Sequence, residues 1–502
     1  MAAAAAEAPV SGRASGQARG LTAFAAALSL FLLAFRLLAG SRSPLFFDEA
    51  YYWQWSTNLQ LGYFDHPPLI AWFIRAGTLL FGDTPLGIRL MPSISATACV
   101  LAVWGIARRL TGDHRVAAWA AIFANLTGIV VLSFVAWPDE PMVLAWLVAF
   151  YALVVVYRGG SPAWWIVAGA MIGVAGASKY TALFLAIGLF AWTLTEPSMR
   201  RWYGTRWPWL ALVAAGLVIS PVLLWNAANG WPSLVMQTMR DGLEITQADS
   251  LRIYITNTLL ISSPPIVVLA LVALVRGPYR WLWLSIVPLA IFLGVFSQSD
   301  EVGLHWVGPM TYFVALAAGL AMAPRLRWWN GTLAGLALAL GLFVSCTYYL
   351  LLSLPISVTA DLADPGKPFR GWPEAARGIE QLRVENGATY IVTDRYFHPG
   401  YLKLELGVDA PVFNLNNPGY DAEYGRWRRW NGFPSATPDM AADKAIFLGP
   451  AEVARLYYDS VTPLEPVTRP DDGRGNGPQI RVSLVANPKP ETAPLFSNWQ
   501  MP

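Results

Sequence analysis

Between Phe46 and Pro68 the chain gathers Asp48, Glu49, Asp65 and His66 among the aromatic rings of Tyr51, Tyr52, Trp53, Tyr63 and Phe64. The stretch follows directly on an apolar run, Leu21 to Gly40, long enough to cross a bilayer. Ionisable groups are costly to hold at a hydrocarbon edge, so clustering them there points to chemistry at the membrane surface. A solvated loop with an aromatic belt explains the rings, but less readily an adjacent acid pair followed by Asp-His-Pro-Pro. A carboxylate so placed can take a hydroxyl proton or stand against developing positive charge, and a nearby cation can neutralise a phosphate.

Further sets of the same residue types recur along the chain. Trp137-Pro138-Asp139-Glu140-Pro141 places a second acid pair, Asp139 and Glu140, at a helix start, where Pro141 suits the first turn. The pair reads equally as simple helix capping, which the helix dipole favours, or as part of a site. Ser178-Lys179-Tyr180 sits between apolar segments, where Lys179 either snorkels to the interface or meets a phosphate as a point charge. Ser299-Asp300-Glu301-Val302-Gly303-Leu304-His305-Trp306 adds Glu301 and His305 at another span edge. His305 is either a hydrogen-bonded structural residue or, with Asp48, Glu49 and Asp139, part of a mixed carboxylate and imidazole set for a divalent cation, the one cofactor the pattern admits. Arg89, at the start of a span, either anchors that helix or contacts a phosphate.

The elements that must hold these residues are transmembrane helices. Hydrophobic residues make up 55% of the 502 residues and charged ones 13%, against about 25% charged in a soluble domain. A net charge of +3 is too slight to argue for nucleic acid. Cys99 and Cys346 are the only cysteines and fall in apolar segments, which argues against a disulfide framework or thiolate metal site. Met1 to Gly20 reads as a disordered cytoplasmic N-terminus. About eleven spans are expected: Leu21–Gly40, Pro85–Ala107, Val116–Val135, Pro141–Tyr157, Ala163–Ala177, Tyr180–Leu194, Trp207–Trp225, Tyr254–Val275, Trp281–Phe296, Trp306–Ala323 and Gly331–Leu354. Pro67 to Phe81, interrupted by Arg75, suits a helix lying along the interface.

Arg108, Arg109, Arg115, Arg158, Arg200 and Arg201 then fall on one side of the membrane, and every acid, histidine and lysine singled out above falls on the other. By the positive-inside rule the chemically interesting face is non-cytoplasmic. An odd span count puts Pro355 to Pro502 on that face. This stretch is polar, with strand-like runs at Ala388–Thr393 and Ala445–Leu448 and helical stretches at Pro373–Glu385 and Ala451–Tyr458. The expectation is a mainly α polytopic protein with a small α/β domain at its C-terminal end. No glycine-rich phosphate loop of a nucleotide-binding type is present.

Together these motifs resemble the integral-membrane glycosyltransferases of GT-C fold, within them the bacterial group similar to protein O-mannosyltransferases and the lipid A aminoarabinose transferase. The likeness rests on the acid pair of the first outer loop, Tyr63-Phe64-Asp65-His66-Pro67-Pro68-Leu69, Gly87-Ile88-Arg89, Pro138-Asp139-Glu140-Pro141 and Ser178-Lys179-Tyr180-Thr181-Ala182-Leu183. It weakens through His305-Trp306 and is faint at Thr393-Asp394-Arg395-Tyr396 and Pro411 to Asn416. It implies transfer of a sugar from a polyprenyl-phosphate carrier to a lipid, glycan or protein acceptor, on the periplasmic face of a bacterial inner membrane. It also implies catalytic roles for Asp48, its partner Glu49 and Asp139. Donor-phosphate and substrate contacts fall to His66, Asp65, Arg89, Lys179, Tyr180, Glu140, His305 and Glu301. The aminoarabinose transferase has a lysine where this chain has His66, a change that makes any cation there depend on pH.

A sugar on a lipid phosphate is already activated. Displacement assisted by one carboxylate base, Asp48, would invert the anomeric centre, as in inverting hydrolases. Two rivals remain at this level: a transporter with outer-face carboxylates, and an oligosaccharide ligase or polymerase using a pyrophosphate-linked glycan. Transporters usually hold such groups near the midplane in two related halves, and no such duplication is visible here.

Overall fold

The computed structural model describes residues 12–234, 247–298, 302–322, 328–354, 366–414, 443–470 and 476–489. The chain opens on α1 (Gly12–Arg42), so helix begins inside the segment expected to be unstructured. Then come α2 (Phe47–Thr57), α3 (Leu69–Phe81), α4 (Pro85–Thr111), α5 (His114–Asn125), α6 (Gly128–Leu132), α7 (Asp139–Tyr157), α8 (Trp164–Gly176), α9 (Ala182–Thr195), α10 (Pro197–Arg200) and α11 (Trp207–Ala228). The helical part continues with α12 (Gln247–Ile261), α13 (Pro264–Arg276), α14 (Val287–Phe296), α15 (Gly308–Ala321) and α16 (Trp328–Ser353).

Six of the described helices are long and apolar enough to span a membrane, or up to eight spans if two sharply bent pairs each count as one, which makes the chain a multi-pass membrane protein. The expected eleven uninterrupted spans are corrected in three ways. Tyr254–Val275 is two helices, α12 and α13, meeting at a bend of 90°, because Pro264 and Pro265 cannot continue the hydrogen bonding of the preceding turn. Val116–Val135 breaks after Asn125 into α5 and α6. The regions Ala163–Ala177 and Trp281–Phe296 yield α8 and α14, both shorter than a full span. The amphipathic stretch after Pro67 forms α3, as expected of it, and packs on α2 and α4.

Local sequence fixes the helix ends that matter. Thr84 caps α4 by accepting the Gly87 N–H at 3.1 Å, Pro85 occupies its first turn, and Gly112 closes it in the left-handed region at φ 71°. Asp48 and Glu49 occupy the first turn of α2, and Asp139 and Glu140 that of α7, where the helix dipole favours negative charge. Small residues bring α8 and α11 together: a Cβ on Gly169 would meet the Ala211 carbonyl oxygen at 1.9 Å, the close backbone approach by which membrane helices associate.

Beyond the bundle lie α17 (Trp372–Glu385), β1 (Tyr390–Thr393), α18 (His398–Leu406), β2 (Val412–Asn414), β3 (Ala445–Leu448), α19 (Ala451–Tyr457), β4 (Tyr458–Pro463), β5 (Val467–Thr468), β6 (Gln479–Ile480) and β7 (Val482–Pro488). The main sheet has the order β2-β1-β3-β7-β4, with β1 parallel to β2 and β3, and β7 antiparallel to β3 and β4. Every residue of β1, β2 and β3 is buried, as expected of parallel strands covered on both faces. Ile391, Val412, Ile446 and Leu448 pack with Ala376, Ile379 and Leu402 of α17 and α18. Tyr390, Val392, Phe413 and Phe447 join the core that continues into the bundle.

Helix α2 is where the two parts meet. Residues Glu49 to Ser56 of α2 are all buried. Phe47 stacks on Phe397 with ring centroids 4.2 Å apart, and the Tyr401 hydroxyl donates to the Leu45 carbonyl at 2.6 Å. Gly400 lies so close to α2 that a Cβ there would stand 2.2 Å from the Ala50 carbonyl oxygen. The aromatic residues of α2 thus form a buried joint, not a solvated belt.

Candidate active site

At one end of the bundle four separate segments converge: the first turn of α2, the start of α7, the turn between α8 and α9, and the helical turn Leu304–Val307. Lys179 Nζ lies 2.9 and 2.8 Å from the two carboxylate oxygens of Asp139, with both side chains almost fully buried. His305 Nε2 stands 3.7 Å from the same carboxylate, and its ring stacks on Trp137 with centroids 4.3 Å apart. Lys179 Nζ also sits over the Trp306 ring, 4.8 Å from its centroid. Ser178 ties the turn to the start of α7 by donating to the Pro138 carbonyl at 2.5 Å.

Asp48 faces this group from α2. Its Oδ1 accepts the Tyr396 hydroxyl at 2.9 Å, and the Trp137 indole lies beside it, short of formal hydrogen-bond geometry. Burial raises its pKa above the ordinary aspartate value, while the Tyr396 donor and the Lys179 charge pull the other way. Tyr52 is four residues on and shares its helix face. Burial, together with the charges of Asp48 and Asp65, keeps its phenol protonated far above its ordinary pKa. His66 approaches the Tyr52 ring edge-on at 6.0 Å, so Asp65 and His66 flank Tyr52.

Several expected roles change in the fold. Glu49 is fully buried and turned away from Asp48: Arg89 Nε donates to its Oε1 at 2.7 Å, and the guanidinium also bonds Oε2. The Phe46 and Ala136 backbone N–H groups occupy the same carboxylate, at 2.8 and 3.1 Å. Arg89, 1% exposed, spends its other N–H groups on the carbonyls of Gly40, Ser43 and Pro44 and on the Ser43 hydroxyl. Of the two readings of Arg89 this arrangement fits the anchor, with Glu49 as its partner; together they fasten the start of α2 to α1, α4 and the segment before α7.

Glu140, next to Asp139, points into the bundle toward Ser133 and Arg36 instead of lining the site. The Tyr180 hydroxyl accepts from Asn226 of α11 at 3.2 Å and lies against Ser233, which makes it an anchor of the scaffold. Glu301 lies outside the described residues. Two contributors were not assigned from sequence. In sequence Trp137 stands only as part of a helix-start motif, and Tyr396 lies in a faint motif far along the chain.

Among the described residues no three His, Cys, Asp or Glu side chains are placed to hold a metal ion. The mixed set of Asp48, Glu49, Asp139 and His305 is divided by the fold, since Arg89 takes the oxygens of Glu49 and Lys179 those of Asp139. That donor set does not fit a divalent cation.

Residues 65–225 match the dolichyl-phosphate-mannose-protein mannosyltransferase family. The chain is 28% identical over 377 residues to the lipid A galacturonosyltransferase RgtD of Rhizobium johnstonii, a match covering 70% of this chain and 76% of that protein. It is 29% identical over 231 residues to undecaprenyl phosphate-alpha-4-amino-4-deoxy-L-arabinose arabinosyl transferase 2 of Pseudomonas fluorescens, covering 40% of this chain and 39% of that one. The fold superposes on the crystal structure of ArnT from Cupriavidus metallidurans bound to undecaprenyl phosphate with a TM-score of 0.65 at 15% identity, covering 96% of this chain and 99% of the other. In fold and in sequence likeness, then, the chain is a glycosyltransferase of GT-C type.

Proposed function

We propose that this enzyme moves a single sugar from a polyprenyl-phosphate carrier to an envelope acceptor at the periplasmic face of the bacterial inner membrane, with lipid A as the acceptor its relatives favour. The observation that carries this reading is the meeting of a raised-pKa carboxylate, Asp48, with a buried cation, Lys179, across one aromatic-walled site. The donor supplies an activated anomeric carbon and a phosphate leaving group. An acceptor hydroxyl oxygen forms the new bond to the anomeric carbon as the bond from that carbon to the phosphate oxygen breaks. Asp48 takes the hydroxyl proton, and its retained basicity suits it to that task. Polyprenyl phosphate departs with the electron pair of the broken bond, and Lys179 stabilises its growing negative charge.

A single displacement of this kind inverts the anomeric centre. Asp139 and His305 act on Lys179: the bidentate contact from Asp139 fixes where the ammonium stands, and His305 closes the pair against Trp137. Asp65 and His66 lie beside Tyr52, where His66 meets the donor phosphate only when protonated. The sheet and helices from Trp372 onward shape the acceptor side.

The test is reconstitution of the full-length protein in proteoliposomes containing lipid A, with undecaprenyl-phosphate-linked galacturonic acid and undecaprenyl-phosphate-linked aminoarabinose offered in turn, read by mass spectrometry of the lipids. One sugar increment on lipid A with release of undecaprenyl phosphate is the expected result. Comparison of envelope lipids, glycans and proteins from cells with and without the gene extends the test to other acceptors. No lost sugar increment in any fraction would refute the transferase reading.

A further inference from the structure

We propose that Tyr396 is a positioning residue for Asp48, so that the active site is complete only when the C-terminal domain is docked on α2. The inference rests on the assignment of Asp48 as the base. The Tyr396 hydroxyl donates to Asp48 Oδ1 at 2.9 Å across a sequence separation of 348 residues. Its ring meets Tyr51 edge-on at 5.0 Å, and its neighbour Phe397 stacks on Phe47. Four residues further on, Gly400 packs against the Ala50 backbone, and Tyr401 donates to the Leu45 carbonyl. The phenol is therefore located by contacts on both sides of Asp48, made by one short segment of the C-terminal domain.

The groups whose charge or hydrogen bonding reaches Asp48 are Glu49, next to it on the helix but turned away, Tyr52 one turn on, Lys179 from between α8 and α9, Tyr401 and Tyr396 from the C-terminal domain, and the Trp137 indole. Glu49 is neutralised by Arg89 and Lys179 is held by Asp139. The donor from Tyr396 engages Oδ1 and fixes the rotation of the carboxylate, which leaves Oδ2 to take the acceptor proton. It also favours the ionised form of a group whose burial favours the protonated one. A single phenol thus holds the base in orientation and in its working charge state, and that phenol comes from a different domain.

The experiment compares Tyr396→Phe with the wild type, full length and in proteoliposomes, using whichever undecaprenyl-phosphate-linked sugar supports transfer above. Tyr396 is 39% exposed and the variant keeps its ring contacts, so thermal stability and undecaprenyl phosphate affinity should stay at wild-type values. Turnover at neutral pH should fall about three- to tenfold, below the usual range for a hydrogen bond to a charged group because water can partly replace the phenol. The acid limb of the kcat/KM profile should move to higher pH by about half a unit to one unit. A Gly400→Val variant, which forces α18 off the Ala50 backbone, should shift the limb in the same direction, with loosening of α2 verified by hydrogen exchange.

Unchanged turnover and an unmoved acid limb in Tyr396→Phe, with Asp48→Asn inactive, would overturn this inference alone. A loss of stability with an unmoved limb would also overturn it, leaving Tyr396 as a docking contact. Normal turnover in Asp48→Asn would bring down the base assignment and this inference with it.

Discussion

Glu49→Gln separates the architecture described here from the view that both acids of the first pair do chemistry. Glu49 is fully buried and its two oxygens accept from Arg89 Nε, the Arg89 guanidinium terminus and the backbone N–H groups of Phe46 and Ala136. Glutamine keeps the shape but removes the charge and turns an N–H₂ toward donors, leaving the Arg89 cation buried without its counter-ion. Breaking a buried pair by changing one partner costs about 3–5 kcal/mol. Because Arg89 also holds the carbonyls of Gly40, Ser43 and Pro44, the loss falls on the whole entry to α2, and Asp48 is displaced with it. Thermal unfolding of the detergent-purified variant, followed by tryptophan fluorescence, should show a marked drop in midpoint, and turnover below that midpoint should fall in step with the fraction folded. Arg89→Gln should behave alike, and the double variant should be less destabilised than the sum of the singles, since the two side chains form one unit. A Glu49→Gln protein of wild-type thermal stability with abolished turnover would refute this reasoning and return Glu49 to the chemistry.

Asp48→Asn should show the opposite pattern. Burial holds the folded-state pKa of Asp48 above its ordinary value, so stability falls as pH rises through that raised pKa; the variant should be at least as stable as the wild type above neutrality, while turnover drops by about 10² to 10⁴. Lys179→Ala should weaken undecaprenyl phosphate binding, measured by calorimetry, by about ten- to a hundredfold through loss of a charge-assisted contact, and Lys179→Arg should recover it only in part because a planar fork cannot copy the point contact to Asp139; unchanged affinity in Lys179→Ala would leave that residue as a structural partner only. His398, at the start of α18, is pushed down to about 3 by burial, with the nearby cations Arg395 and Arg469 adding to it, so it stays neutral when folded and is protonated when unfolded below about 6.5. Its contribution is intact above that value and is lost as pH falls toward 3, amounting to about 2 kcal/mol at pH 5; hydrogen exchange of α18 should rise over that window in the wild type and not in His398→Gln.

Much of this site was legible in the sequence because the bilayer exposes it: charged residues at the edges of apolar runs stand out, and Asp48, Asp139, Lys179 and His305 do come together. Adjacent acids could not be told apart in the same way. Successive residues on a helix differ in direction by about 100°, so Asp48 and Asp139 face the site while Glu49 and Glu140 turn into the bundle, yet in sequence each pair reads as a unit. Sequence leaves Arg89 open between helix anchor and phosphate contact because its partner lies 40 residues away. Tyr396 could not be found at all without the fold, since nothing in the local sequence says that a strand-to-helix connection will reach α2. The bend at Pro264, by contrast, has a sequence signal: Ser262-Ser263-Pro264-Pro265 interrupts the apolar run, although the run is long enough for a single span.

On the proposed mechanism, the pairing of charges explains why Asp48 is the group left to act. Three of the four acids at the starts of α2 and α7 have fixed occupations: Glu49 neutralises Arg89, Asp139 neutralises Lys179, and Glu140 faces Arg36 and Ser133 within the bundle. Among the described residues the direct hydrogen bond to Asp48 comes from a neutral phenol. A carboxylate tied to a contact cation would be held too weakly basic to take a hydroxyl proton, whereas one buried with no donor would stay protonated through the neutral range. Asp48 lies between these limits, with burial raising its basicity and Tyr396 restraining the rise. Lys179, already fixed by Asp139, is close enough to be felt by Asp48 without forming an ion pair with it. On that reading the arrangement that keeps the base available also sets a cation near it for the leaving phosphate, while the pairs Glu49–Arg89 and Asp139–Lys179 leave Asp48 without a contact cation.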